Sequence, residues 1–227
     1  MGKEFIHNLP RYCLWLVDAE PSEIKSMKNV YERVEACRKF RLMSKRSATQ
    51  KLAETAYLFG EIRQPSDGNY IVMPQVTSGD RKYIPIGFLD ENFIASDANF
   101  IIPEADLYLF GILESSVHMI WTKKFCGRLE SRIRYSNTLI YNNFPFPEVT
   151  AEIREKIKKS AEKILEIRTK YESSLADLYD ENIMPKELRD AHKKNDENIL
   201  MAYGMKNLSD EEILQKLIEL HKNLTGE

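Results

Sequence analysis

At 227 residues the chain is long enough for one large domain or two small ones, and its 43% apolar content suffices for a buried core. A net charge of −2, from 33 basic and 35 acidic residues, excludes a protein that is basic throughout, so any nucleic-acid surface must be local. Three cysteines without C-x-x-C spacing and only four histidines argue against a zinc site and for reduced, partly buried thiols. No apolar run approaches a membrane span, the start lacks signal-peptide order, and Ile6 stands where myristoylation wants Ser or Thr. The expectation is a cytoplasmic protein with no membrane partner. Divided at Pro147, residues 1–147 carry 19 basic and 17 acidic residues, and residues 148–227 carry 14 and 18. The positive charge lies upstream.

In chain order, Arg11 to Val17 is short, apolar and rich in strand formers, which predicts a buried strand ended by Asp18 to Pro21. Pro21 and Glu23 then suit a helix start, and Ile24, Met27, Val30, Val34 and Cys37 carry helical spacing to about Met43. The far end is basic: Val30 to Lys51 holds seven cations against Glu32 and Glu35. That run reads either as a solvated helix face or as a phosphate contact. Residues 55–103 change character, with β-type runs at Tyr57 to Phe59, Tyr70 to Met73 and Tyr83 to Ile86 between turn-rich pieces. One such turn carries Ser78, Arg81 and Lys82, whose hydroxyl and cations suit either a phosphate or an ordinary loop. Ala105 to Lys124 predicts a buried helix, with His118 packed or at the surface and Lys123 and Lys124 at its end.

That helix leads into Gly127-Arg128-Leu129-Glu130-Ser131-Arg132-Ile133-Arg134-Tyr135-Ser136, an acid among three arginines at alternating positions. In one extended strand Arg128, Glu130, Arg132 and Arg134 would share a face. Such a face could read bases, because Arg pairs bidentately with a guanine edge and Glu accepts from cytosine N4; it could equally be a salt-bridged edge strand. Asn143-Phe144-Pro145-Phe146-Pro147 then ends regular structure, and its separated prolines do not make an Asn-Pro-Pro-aromatic catalytic motif. Beyond it the chain reads as helices, with Pro185 opening one, Gly204 ending it, and Ser209 to Glu212 capping the last. The fold class expected is α+β: a small mixed or antiparallel sheet with supporting helices, followed by an α-helical C-terminal module. No glycine-rich cofactor loop, catalytic constellation or metal-ligand cluster stands out, so no catalytic, cofactor-binding or metal residue is assigned.

The succession RYCLWLVDAEPSEI, VTSGDRKYIPIGFL, LYLFGILESSVHMIW, GRLESRIRYSNTLIYNNFPFP and SSLADLYDENIMPKELRDAHKKNDENILMAYG resembles, in order and over nearly the whole chain, the C-terminal part of MmeI-like DNA methyltransferases, the type IIL restriction-modification enzymes and their relatives. The resemblance implies a target recognition domain over 1–147 and a C-terminal helical region over 148–227. It implies a parent enzyme that uses S-adenosylmethionine to methylate adenine N6, with duplex DNA and the parent's methyltransferase domain as partners. It places base reading on Glu130 and Arg132, with Arg134 and Ala98 as further positions. Ser78, Arg81, Lys82, Lys123, Lys124 and Arg128 are expected on the DNA backbone. Glu130 and Arg132 together would read one C·G pair. The competing expectation is a non-catalytic interaction module whose C-terminal helices dock another subunit.

Overall fold

The computed structural model describes residues 2–226. It divides into two compact units, Pro10–Gln64 and a larger one joining Met1–Leu9 to Pro65–Glu227. Helix α1 (Gly2–Ile6) belongs to the larger unit.

The smaller unit is α-helical: α2 (Pro21–Ser26), α3 (Lys28–Leu42) and α4 (Ser47–Lys51) surround a modest core of Ile24, Val34 and Ala56. The single helix expected from Pro21 to Met43 is broken at Met27, whose φ of −92° and ψ of 87° leave the helical region. The predicted strand at 11–17 does not form. The segment has no ladder partner; Tyr12 is 92% exposed, Trp15 stacks on Phe59 and Leu16 packs on the small core. Tyr57 to Phe59 likewise lies in turns and loop, not in a strand. Two arginines of α3 make these turns possible. Arg38 donates to the Ala53 carbonyl (2.6 Å), and Arg41 donates to the carbonyls of Leu52 (2.7 Å), Thr55 (3.1 Å) and Leu58 (2.8 Å). They satisfy backbone acceptors that no helix or sheet supplies.

The larger unit contains two antiparallel three-stranded sheets. In the first, β1 (Tyr70–Pro74) is central between β3 (Gly87–Leu89) and β4 (Asn99–Pro103), with Ile71 facing Phe88 and Ile102. All five β1 residues are buried. In the second, β6 (Arg132–Arg134) is central between β2 (Val76–Thr77) and β5 (Gly127–Leu129). Gln75 joins the sheets. Its N–H donates to the Ala98 carbonyl (3.0 Å), while its own carbonyl accepts from the Tyr135 N–H (2.8 Å). Tyr83 to Ile86 is buried, as expected, but is not a strand. The Ile86 N–H donates to Glu114 Oε2 (3.3 Å) and its carbonyl accepts from Arg168 (2.8 Å), so side chains replace a ladder.

The helix expected over 105–124 is two, α5 (Leu107–Leu113) and α6 (Ser116–Phe125), capped by Asp106 and Ser115. Past a π-helical turn at Asn137–Tyr141 come α7 (Ala151–Arg168), α8 (Leu175–Leu178), α9 (Lys186–Ala202) and α10 (Asp210–Thr225). Gly204, at φ +63°, follows α9, and Ser209 and Glu212 form the capping box of α10. These helices do not stand apart from the sheets. Phe110, Ile112, Leu113, Ile133, Ile157, Ile164 and Ile199 share one core. A Cβ on Gly111 of α5 would lie 2.7 Å from Ile157 Cγ2, so the absent side chain lets α5 and α7 approach.

A buried polar network fixes this docking. Arg168 pairs with Glu114 (2.7 Å; side chains 7% and 0% exposed) and donates to the Tyr179 hydroxyl, which also contacts His192 Nε2 (2.8 Å). Tyr83 donates to Asp196 (2.9 Å), which also accepts from the Ser116 N–H (2.8 Å). Burial pushes the Glu114 carboxyl up to about 6 against the opposing pull of Arg168. Among the described residues no helix is long and apolar enough to cross a membrane. Cys37 and Cys126 are half-buried free thiols, whereas Cys13 is exposed, contrary to the expectation of partial burial.

Candidate nucleic-acid interface

The charged stretch is a hairpin, not one strand. Strands β5 and β6 pair with Gly127 opposite Arg134, Arg128 opposite Ile133 and Leu129 opposite Arg132, and Glu130-Ser131 forms the tip. This overturns the expectation that four charges share a face. Directly opposed residues of an antiparallel pair project to the same side, so Arg128 projects with the fully buried Ile133, whereas Arg132 and Arg134 project to the opposite, exposed side. Arg128 instead leans on the tip, its Nη1 lying 3.5 Å from the Ser131 carbonyl. Glu130 takes φ +58°, a left-handed conformation unusual for a residue with a side chain. There its carboxylate accepts from Arg132 Nη2 at 2.9 Å, with the side chains 79% and 47% exposed. One carboxylate oxygen and most of the Arg132 fork remain available to a ligand.

The hairpin's foot is buried and hydrogen-bonded. Ile133 is fully buried beneath it, and the buried Tyr135 contacts His118 Nε2 through its hydroxyl (3.1 Å). His118 is completely buried, and burial lowers it to about 4, so it is neutral. Its other ring nitrogen meets the Leu113 carbonyl (3.1 Å), which suits a neutral ring donating there and accepting from Tyr135. Trp121, on the helix that enters the hairpin, donates to the Ile140 carbonyl (3.2 Å) on the turn that leaves it. Both ends are thereby held, and Lys123 and Lys124 stand exposed on the last turn of α6.

The other expected positions fall around this foot. The Gln75 amide donates to the Asp97 carbonyl (2.7 Å) and its N–H to that of Ala98, tying the Ala98 loop to the root of β6. Ala98 is half-buried and offers only a methyl group for contact. The Ser78–Lys82 loop reaches the hairpin tip: a Cβ on Gly79 would lie 2.5 Å from the Ser131 carbonyl. Within it, Ser78 caps a local turn with Asp80 (3.3 Å). Arg81 turns inward to Thr77 Oγ1 (2.9 Å) and the Ala176 carbonyl (3.3 Å), and burial lowers its pKa. Lys82 is exposed, its ammonium 5.6 Å from the Tyr83 ring and its N–H donating to Glu181 (3.1 Å). Sequence reasoning missed Gln75 and the anchoring roles of Trp121 and Tyr135. Aromatic residues flanking a charged hairpin were the available signal for the latter two; Gln75 has none.

The arrangement is thus a charged hairpin with a buried foot and polar loops beside it. Residues 1–148 match the family model of the MmeI target recognition domain, and residues 149–227 match that of the MmeI C-terminal domain. The chain is 40% identical over 224 residues to DNA methyltransferase A of Bacillus subtilis (strain 168), covering 98% of this chain and 25% of that protein. The solved type IIL restriction-modification enzyme MmeI in complex with DNA superposes with a TM-score of 0.96 at 40% identity, covering all of this chain and 30% of that one. Fold and matches together define a target recognition domain joined to a helical C-terminal domain. The chain belongs to the MmeI family, and it spans between a quarter and a third of the length of these relatives.

Proposed function

We propose that this chain is the DNA-reading part of an S-adenosylmethionine-dependent adenine-N6 methyltransferase of the restriction-modification type, acting on duplex DNA alongside the parent's methyltransferase domain. The observation that carries the reading is the hairpin tip. Glu130 and Arg132 are held 2.9 Å apart and exposed, above a foot whose Ile133 and Tyr135 are buried. Entering a major groove, Glu130 accepts from cytosine N4 and Arg132 donates to the O6 and N7 of the paired guanine, so that the two read one C·G pair. Arg134, on the same side of β6, and Ala98, near its root, contact neighbouring bases. Ser78, Lys82, Lys123, Lys124 and Arg128 meet phosphates, with Arg81 supporting the loop from inside. The likeness to an MmeI structure bound to DNA supports the same partner here. S-adenosylmethionine belongs to the methyltransferase part of such a parent; the sequence holds neither a glycine-rich loop nor an Asn-Pro-Pro-aromatic motif, and no step of methyl transfer is assigned to these residues.

The competing module, with C-terminal helices docked on another subunit, is disfavoured because the buried faces of α7 and α9 already pack in one core with residues of α5 and α6. Selection of bound duplexes from a library randomised over a short window tests the proposal. The native chain should enrich a C·G pair in one column, and Glu130→Ala with Arg132→Ala should erase that column while leaving the others. A library that emerges unenriched contradicts it.

A further inference from the structure

The smaller unit carries a charge asymmetry that the hairpin reading does not use. Residues 10–64 contain 11 basic and 7 acidic residues, and between Arg33 and Lys51 there are seven cations against Glu35 alone. The structure sorts these seven by role. Arg38 and Arg41 face inward and are consumed by backbone carbonyls. Arg33, Lys39, Lys45, Arg46 and Lys51 are exposed, and among the described residues none makes an ion pair or a side-chain hydrogen bond. On a helix with 100° between residues, Lys39, Glu32, Met43, Ala36, Phe40 and Arg33 follow one another around a single outward arc, with Glu32 as its one acid, opposite the arc of Val34, Arg38 and Arg41. On that arc Phe40 is 76% and Met43 84% exposed, far more than their size warrants. Lys45 and Arg46 follow in the turn before α4 and are also exposed.

A surplus of cations over the single acid Glu32 leaves net repulsion on this face, and exposed apolar side chains between the charges gain nothing from water. Both facts are explained by an anionic partner with apolar surface between its charges. Duplex DNA is such a partner: phosphates line its minor groove, sugars and base edges form the floor, and proteins that bind there set Lys and Arg beside apolar side chains such as Phe and Met. We infer that the outward face of α3 and the turn after it form a second, sequence-independent DNA contact, with Lys39, Lys45 and Arg46 on phosphates and Phe40 and Met43 against the sugars of the groove. This rests on the reading of the chain as a DNA-recognition protein, but it uses a separate unit and separate residues.

The test is fluorescence anisotropy of the full chain with duplexes that contain or lack the preferred C·G pair, between 50 and 200 mM salt. In K39A/K45A/R46A, affinity should fall by the same factor for both duplexes, and the slope of log K against log salt should flatten by about 2 to 3, since each phosphate contact contributes about 0.9. Phe40→Ser should weaken both duplexes several-fold and leave the slope unchanged. The substituted side chains are exposed and unpartnered, so an unchanged melting temperature certifies the fold. A native slope and affinity in the triple variant overturn the inference. So does an equal, equally patch-dependent affinity of the native chain for poly-glutamate, which would mark a docking face for acidic protein. The two proposals fail differently: loss of C·G preference in the native chain, with the triple variant still weaker, sinks the hairpin reading alone.

Discussion

Truncating Arg132 separates the two roles that its position allows. If the pair with Glu130 only decorates a hairpin, its worth is that of an exposed ion pair: with side chains 47% and 79% exposed, about 0.2 to 1 kcal/mol of stability. If Arg132 reads a guanine, its loss removes about 1 to 3 kcal/mol of discrimination, or about 5- to 150-fold in the ratio of dissociation constants. The foot does not depend on this side chain, because Ile133, Tyr135 and Trp121 hold the hairpin from beneath and from both ends. Arg132→Ala should therefore melt within about 4 °C of the native chain while its preference for C·G over the other three pairs collapses in competition anisotropy. Full retention of that preference would refute the reasoning. A large drop in melting temperature would show that the pair was structural after all.

Other consequences are as specific. Glu130→Gly relieves the left-handed backbone at φ +58° and should leave thermal stability unchanged or slightly raised while the C·G preference is lost, as calorimetry and binding together would show. Gly79→Ala puts a Cβ 2.5 Å from the Ser131 carbonyl and should cost about 1 to 3 kcal/mol in urea unfolding, with weaker binding to every duplex. Arg168→Met leaves Glu114 buried without its cation and should cost about 3 to 5 kcal/mol near neutral pH; because the Glu114 carboxyl already sits at about 6, this penalty should shrink on acidification. His118 works in the other direction. Its folded value of about 4 lies below the ordinary 6.5, so the unfolded chain takes up a proton first, and the stability contributed above pH 6.5 is lost as pH falls toward 4, by about 2 kcal/mol at pH 5. His118→Gln should remove that part of the acid sensitivity in pH-dependent melts.

Elements whose signal is local were legible in the sequence. Ser209 with Glu212, and Gly204 past α9, are chemical punctuation that acts within a few residues, and each sits where its chemistry demands. Segments that depend on distant partners were not. Arg11 to Val17 has the composition of a strand, but no neighbour in its unit offers a ladder; Tyr83 to Ile86 is buried as its composition suggests, yet Glu114 and Arg168, both far along the chain, take the backbone bonds. The hairpin lies between these cases. Alternating charges marked the segment, and the tip at Glu130-Ser131 is hidden because neither residue is a customary turn former at positive φ. Placing a turn there moves Arg128 off the face of Arg132 and Arg134 and gathers Gly79 and Ser131 at one point. The charged segment was thus visible in the residues, and its hairpin geometry was not.

Exchanging the chemistry of Glu130 and Arg132 asks whether the two, as proposed, read one base pair as a unit. Glu130→Lys with Arg132→Asp puts the cation at the tip and the acid on β6. On the proposed function, this variant joined to the methyltransferase part of the enzyme and assayed for methylation of duplexes that differ only at that pair should prefer G·C, and the native sequence C·G. An unchanged methylation site would show that the two residues do not read that pair.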